Sequence, residues 1–198
     1  MTWLLCDYGE VLCLPPTEQD RAVLATTAGW DTQDRGGDFW DAYWVDRVAY
    51  DRADLTAQDY WARLLGRPPE PGQLDRLTKV DAAGWLHPNP LSLAAAQRAA
   101  QRGLRLAILS NAPIEVAREI DRAPWLAPFS PRFFSCDLGA VKPEPAAYQA
   151  VLASLGARPE EVVFFDDRPV NVTGAAALGI DARLFDDPAQ LDLVRAPG

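Results

Sequence analysis

The chain has 198 residues, 48% hydrophobic and 24% charged, a balance that suits one globular domain, with or without an insertion, and excludes disordered, collagen-like and coiled-coil chains. A net charge of −9 repels phosphodiester backbones, and no basic run offsets it, so nucleic acid is not expected as a partner. No apolar stretch reaches the ~18 residues of a bilayer span, and MTWLLCDYGE meets an aspartate too early for a signal-peptide apolar region, so the expected location is cytoplasmic, with no membrane partner. Cys6, Cys13 and Cys136 include no C-x-x-C pair and are expected as reduced, packed thiols.

In chain order, Trp3-Leu4-Leu5-Cys6 is a short apolar run ending in Asp7-Tyr8-Gly9-Glu10, the pattern of a buried strand entering a loop. Residues from about 15 to 87 carry helical spacing throughout, with candidate helices at 18–27, 37–50, 56–65 and 72–81. Pro15-Pro16 opens this segment and His87-Pro88-Asn89-Pro90 closes it. Beyond it, helical stretches at 91–102, 113–122, 145–155 and 170–178 alternate with apolar strands at 104–109, 161–165 and 180–185. Alternation of this kind predicts a mostly parallel sheet. The expected fold class is α/β, a Rossmann-like parallel sheet core in three α/β/α layers, residues 1–14 and 88–198, with an inserted α-helical cap at 15–87.

Ligands of open parallel sheets bind beyond the carboxyl ends of the strands, and Asp7, Ser110 and Asp166 all fall on that edge. Adjacent carboxylates such as Asp166 and Asp167 repel one another unless a cation offsets them, and Mg2+ suits hard oxygen ligands beside a phosphate. Lys142 sits in the proline-restricted segment Val141-Lys142-Pro143-Glu144-Pro145, where its ammonium serves as a placed point charge. Ser110-Asn111 precedes Pro113 and offers a hydroxyl and free backbone N–H groups to an anion. Taken singly, each is more often a cap, turn or surface residue. Their order along successive strand ends is what points to phosphoryl transfer.

The ordered segments Cys6-Asp7-Tyr8-Gly9-Glu10-Val11-Leu12, Leu109-Ser110-Asn111, Val141-Lys142-Pro143 and Phe165-Asp166-Asp167 resemble the four motifs of the haloacid dehalogenase-like (HAD) hydrolase superfamily. The helical stretch between the first two matches the cap of its subfamily I, and segments 133–145 and 164–175 are similar to sugar-phosphate phosphatases and to the N-terminal phosphatase domain of soluble epoxide hydrolase. The resemblance implies a phosphatase in which Asp7 is the nucleophile and forms an aspartyl-phosphate. It further implies Mg2+ held by Asp7, the Gly9 carbonyl, Asp166 and Asp167, with Lys142 and Ser110 on the phosphoryl oxygens. Asn111, Gly9 and Glu10 complete the expected substrate-binding set. The implied substrate is a small phosphorylated molecule, sugar-phosphate-like, and the implied assembly a monomer or homodimer.

One position departs from the pattern. Most phosphatases of the superfamily carry a second aspartate two residues after the nucleophile, where this chain has Gly9; such a general acid is worth 10²–10⁴ in rate. Dehalogenases of the superfamily also lack that aspartate, need no metal and usually lack the acidic pair. A metal-independent 2-haloacid dehalogenase and a catalytically weak phospho-ligand-binding protein are therefore the alternatives. Glu10 is a candidate substitute acid. Trp40 and Tyr43 belong to an aromatic run whose spacing fits a cap core, or rings that select an apolar or sugar leaving group. Arg47 and Arg52 are expected as cap surface charges or contacts to a substrate anion, and Asn171 as a helix cap or a residue orienting Asp167 or the nucleophile loop.

Overall fold

Alternate residues of the central strand point to opposite faces, and each face is buried. In the computed structural model, which describes residues 2–30 and 37–194, Leu4 and Cys6 of β1 (Trp3–Cys6) pack on one side with Leu106, Ile108, Val163 and Phe165. Trp3 and Leu5 pack on the other with Ala107, Leu109, Val162 and Phe164. A strand buried on both faces reads as a continuous apolar run, which is the pattern of parallel sheets covered by helices. The five strands are all parallel, in the order β3-β2-β1-β4-β5. They are β1, β2 (Arg105–Ser110), β3 (Arg132–Phe134), β4 (Val162–Asp166) and β5 (Asp181–Leu184).

Between β1 and β2 the chain forms α1 (Glu18–Ala28), α2 (Phe39–Val45), α3 (Arg47–Asp51), α4 (Ala57–Leu65), α5 (Gln73–Gly84) and α6 (Pro90–Gln101). After β2 come α7 (Ile114–Asp121), α8 (Ser135–Leu138) following β3, α9 (Pro145–Leu155), and α10 (Pro169–Ala176) following β4. Helices α6 and α7 cover the face of Leu4 and Cys6, while α9 and α10 cover the face of Trp3 and Leu5. The expected three-layer Rossmann-like α/β fold is observed.

Helices α1 to α5 gather around their own apolar cluster, in which Tyr43, Tyr60 and Trp61 are buried and the Tyr50 and Tyr60 rings stack with centroids 4.4 Å apart. Thr17 with Asp20, and Thr56 with Asp59, form capping boxes that start α1 and α4. Left-handed Gly29 and Gly66 end them. The chain leaves this insertion at Asn89, which caps α6 through Ser92 N–H and donates from its own N–H to Leu12 O at 2.9 Å. The exit is thereby tied back to the loop after β1.

Two local expectations are corrected. The single helix at 37–50 is two, because Asp46 (φ −101°, ψ 9°) leaves helical geometry and serves at once as C-cap of α2 and N-cap of α3. Strand β3 has no counterpart among the expected strands, since three residues are too short to show a period. Residues 31–36 and 195–198, inside the expected cap and core ranges, lie outside the described residues. No helix among the described residues is long and apolar enough to cross a membrane.

Candidate active site

Three strands end at one point. Asp7 leaves β1 with its N–H donating to Phe165 O of β4 at 2.8 Å, which extends the ladder by one rung and sets the Asp7 side chain beside Asp166. The two carboxylates are clamped by Lys142, whose Nζ lies 2.7 Å from Asp7 Oδ1 and 2.7 Å from Asp166 Oδ2. Tyr8 N–H also donates to Asp7 Oδ1, at 2.6 Å. No hydrogen bond from the described residues reaches Asp7 Oδ2, and both contacts to the carboxylate fall on Oδ1.

Asp166 is fully buried and its other oxygen, Oδ1, accepts from Arg168 N–H and Asn171 Nδ2, both at 2.9 Å. Asn171, expected as a helix cap or beside Asp167, thus orients Asp166. Its own Oδ1 is buried without a partner. Carboxylate oxygens of Asp7, Asp166 and Asp167 all lie within 4.8 Å of one another. Burial pushes the Asp7 carboxyl up, Lys142 opposes it, and Asp166 and Asp167 add to the rise. Burial also raises Asp167, helped by Asp166 and Glu10. For Lys142, burial favours the neutral amine, but Asp7 and Asp166 outweigh it and hold the ammonium charged.

The Lys142 segment is positioned from both sides. Asn111 exchanges two hydrogen bonds with its backbone, and α10 packs against Pro143 at Gly174, where a Cβ would meet Pro143 O at 2.8 Å. Only glycine permits that approach. Asn111 therefore lines the cavity while its carboxamide is engaged by Lys142. Ser110 is buried at the end of β2 and lines the same cavity. Pro113 is the N-cap of α7 rather than its first residue, and Ala112 N–H donates to Ser135 Oγ at 3.0 Å.

Glu10 is exposed and adopts a left-handed conformation, φ 58°. Gly9 does not, and a Cβ there would stand 3.5 Å from Trp85 Cζ3, an ordinary contact. Both line a cavity of about 610 Å³ together with Asp7, Ser110, Asn111, Lys142 and Asp167. The insertion supplies its opposite wall. Tyr50 donates to Glu115 Oε2 at 2.7 Å, Ser135 Oγ donates to Asp51 O at 2.6 Å, and Arg52 pairs with Glu144. Three consecutive residues of the insertion thus grip three separate elements of the sheet domain.

Arg47 is buried rather than a surface charge. Its Nε binds Asp51 Oδ1 at 2.7 Å, and its Nη1 faces Asp81 Oδ2 at 3.4 Å and the Tyr43 hydroxyl. The Arg47 and Asp51 spacing of four residues carried that signal, but the third partner lies on α5, beyond local pattern. Nor do Trp40 and Tyr43 line the cavity. Tyr43 is fully buried against Phe39 and Tyr60, and it is Trp44, about 100° further round the helix, that reaches the cavity. Trp44 belongs to the same aromatic run from which Trp40 and Tyr43 were singled out; Ser135 and Trp85 were assigned no role, and Ser135 follows the unrecognised β3.

A Rossmann-like fold with an acidic, lysine-clamped site at the carboxyl edge of a parallel sheet, walled by a helical insertion, is the arrangement of one hydrolase class. The profile of haloacid dehalogenase-like hydrolases matches residues 20–179, and the chain belongs to that family. It is 31% identical over 153 residues to Phosphatase MT3486 of Mycobacterium tuberculosis, covering 74% of this chain and 70% of that protein. With haloacetate dehalogenase H-2 of Moraxella sp. it shares 29% over 133 residues, 67% of this chain and 58% of that one. A HAD family enzyme of Bacteroides thetaiotaomicron shares the fold, with a TM-score of 0.73 at 20% identity over 96% of this chain and 98% of that one. That enzyme has been crystallised with magnesium and inorganic phosphate.

Proposed function

We propose that this protein hydrolyses a small phosphate monoester with the help of Mg2+, through an aspartyl-phosphate on Asp7. The observation that carries the reading is the convergence of three carboxylates, Asp7, Asp166 and Asp167, within 4.8 Å. One lysine against three carboxylates leaves the cluster net negative, the donors are hard oxygens, and the buried Asn171 Oδ1 has no partner. All three features fit a divalent cation. Asp7, the Gly9 carbonyl, Asp166 and Asp167 are the groups that would hold Mg2+, which supplies charge neutralisation to the phosphoryl oxygens.

The chain's own groups account for the remaining chemistry. Lys142 orients Asp7 through Oδ1 and draws off its charge, so that an anionic ester approaches with less repulsion. Asp7 Oδ2 attacks phosphorus, and water then hydrolyses the acyl phosphate. Ser110 offers its hydroxyl to the phosphoryl oxygens. Asn111 and Asn171 act indirectly, holding Lys142 and Asp166 in place. The helical insertion acts as a cap over residues 15–87, excluding bulk water and shaping the leaving-group side.

Release of inorganic phosphate from an activated aryl phosphate, with and without Mg2+, tests this. Activity that requires both Mg2+ and Asp7, lost in Asp7→Asn, supports the reading. Gly9 favours a second reading, a metal-independent dehalogenase, which halide release from a 2-haloacid in the presence of a chelator would establish instead.

A further inference from the structure

We propose, resting on the phosphatase reading above, that the site takes monophosphates of uncharged aromatic alcohols, phenol-class esters rather than sugar phosphates or bisphosphates. The cavity wall away from the carboxylates carries large apolar side chains among the ion-paired Arg47, Arg52 and Glu144. Trp44 and Val48 on the insertion and Val170 on α10 line it while remaining 51%, 57% and 49% exposed. Trp85 lines it too, with Val116 and Ile120 of α7. Large apolar side chains left open on both sides of one cavity gain by covering a flat apolar ligand, and indole rings add ring contacts to that gain.

The charges of the insertion side are already taken. A leaving group with a second phosphate or a carboxylate needs a cation there, but Arg47 is held by Asp51 and Asp81, and Arg52 by Asp54 and Glu144. Arg168, exposed on the sheet-domain side, is the cavity cation with no ion-pair partner among the described residues. The Asn111 carboxamide that lines the cavity is engaged at both ends and is not available to a sugar hydroxyl, which leaves the Glu10, Ser110 and Arg168 side chains as the lining groups a sugar would use.

The third observation concerns the departing oxygen. At Gly9, where the resemblance places an acid, there is none, and the Trp85 ring stands 3.5 Å from the position of a Cβ. An alkoxide leaves poorly without a proton donor, whereas a phenolate is far less basic. In the step, the Asp7 Oδ2–phosphorus bond forms as the phosphorus–aryl oxygen bond breaks, and phenolate departs with the electron pair. Water then attacks phosphorus, Asp7 regains its carboxylate, and the proton water releases neutralises the phenolate.

The test is steady-state kinetics of the whole chain with Mg2+ on phenyl phosphate, acetyl phosphate, a hexose monophosphate and a hexose bisphosphate. Acetyl phosphate has a still better leaving group but no ring, so it separates leaving-group reactivity from ring binding. Phenyl phosphate should exceed both hexose phosphates in kcat/KM by about 10² or more. Trp44→Ala should raise KM for phenyl phosphate about tenfold more than for acetyl phosphate. Val45→Ala, 77% exposed and outside the cavity, should change neither. A hexose phosphate or bisphosphate turned over as well as phenyl phosphate, or equal KM shifts for the two substrates in Trp44→Ala, would overturn the proposal. Phosphate released from none of the four, acetyl phosphate included, removes the phosphatase reading and this proposal with it.

Discussion

Asn111 and Lys142 are joined by two hydrogen bonds of 2.9 Å, the Asn111 carboxamide donating to Lys142 O and accepting from Lys142 N–H. The side chain after β2 thus fixes the backbone of the residue that bridges Asp7 and Asp166. Asn111→Ala should lower kcat/KM by about 10- to 100-fold and cost about 2 kcal/mol of stability, since it leaves two buried backbone groups without partners. Denaturant unfolding beside phosphate-release kinetics measures both, and Asn111→Asp, which keeps the acceptor, should lie between.

Replacing Lys142 by Met leaves two buried carboxylates facing one another without their shared cation. Breaking a buried pair this way costs about 3 to 5 kcal/mol, and activity should fall by more than about 10². Mg2+ at millimolar concentration should then raise the Tm of Lys142→Met by more than that of the unaltered protein, because the ion restores positive charge to the cluster. Thermal melts with and without the ion read this independently of turnover.

Burial pushes the Asp81 carboxyl up from 3.8 to about 6, against the opposing charge of Arg47. Between those values the folded state holds more protons than the unfolded chain, so this group's contribution to stability falls as pH rises from about 4 to about 6 and is level above. Asp20 and Asp59, lowered chiefly by their Thr17 and Thr56 hydrogen bonds, act oppositely, and their contributions are lost as pH falls below about 4. Unfolding free energy followed across this range should decline less steeply between pH 4 and 6 in Asp81→Asn, the buried Asp7, Asp51 and Asp167 carboxyls, also raised, keeping their share.

Gly9 has the room and the backbone for a side chain, with the nearest atom to a Cβ being Trp85 Cζ3 at 3.5 Å. Gly9→Asp should therefore fold, and should raise turnover of alkyl phosphates by about 10- to 10³-fold while changing aryl phosphates much less. A leaving-group series in both proteins would show the dependence on leaving-group basicity flatten in the variant.

The sheet was legible because its strands are buried on both faces. Trp3-Leu4-Leu5-Cys6 and Val162–Phe165 contain no polar residue, and each runs directly into acidic ones. Asp7, Asp166 and Asp167 were readable for the same reason, as acidic residues delivered by apolar strands, and Lys142 from its proline-restricted loop; the structure brings the four together. What sequence pattern did not carry was contact across the two layers. Trp44 and Tyr43 are adjacent, and only the break at Asp46 and the packing of α4 and α5 decide which ring is buried. Arg47 looked like a solvated charge because one of its acidic partners stands 34 residues away. Ser135 joins Asp51 to Ala112 across separations no local rule spans.

The grip of Tyr50, Asp51 and Arg52 has a mechanical consequence. Glu115, Ser135 and Glu144 belong to different parts of the sheet domain, so this edge of the insertion parts from it only when all three contacts break. The dwell time of a molecule held in the cavity should then depend on how these three contacts break together. Because just one of the three contacts is an ion pair, that dwell time should respond weakly to ionic strength.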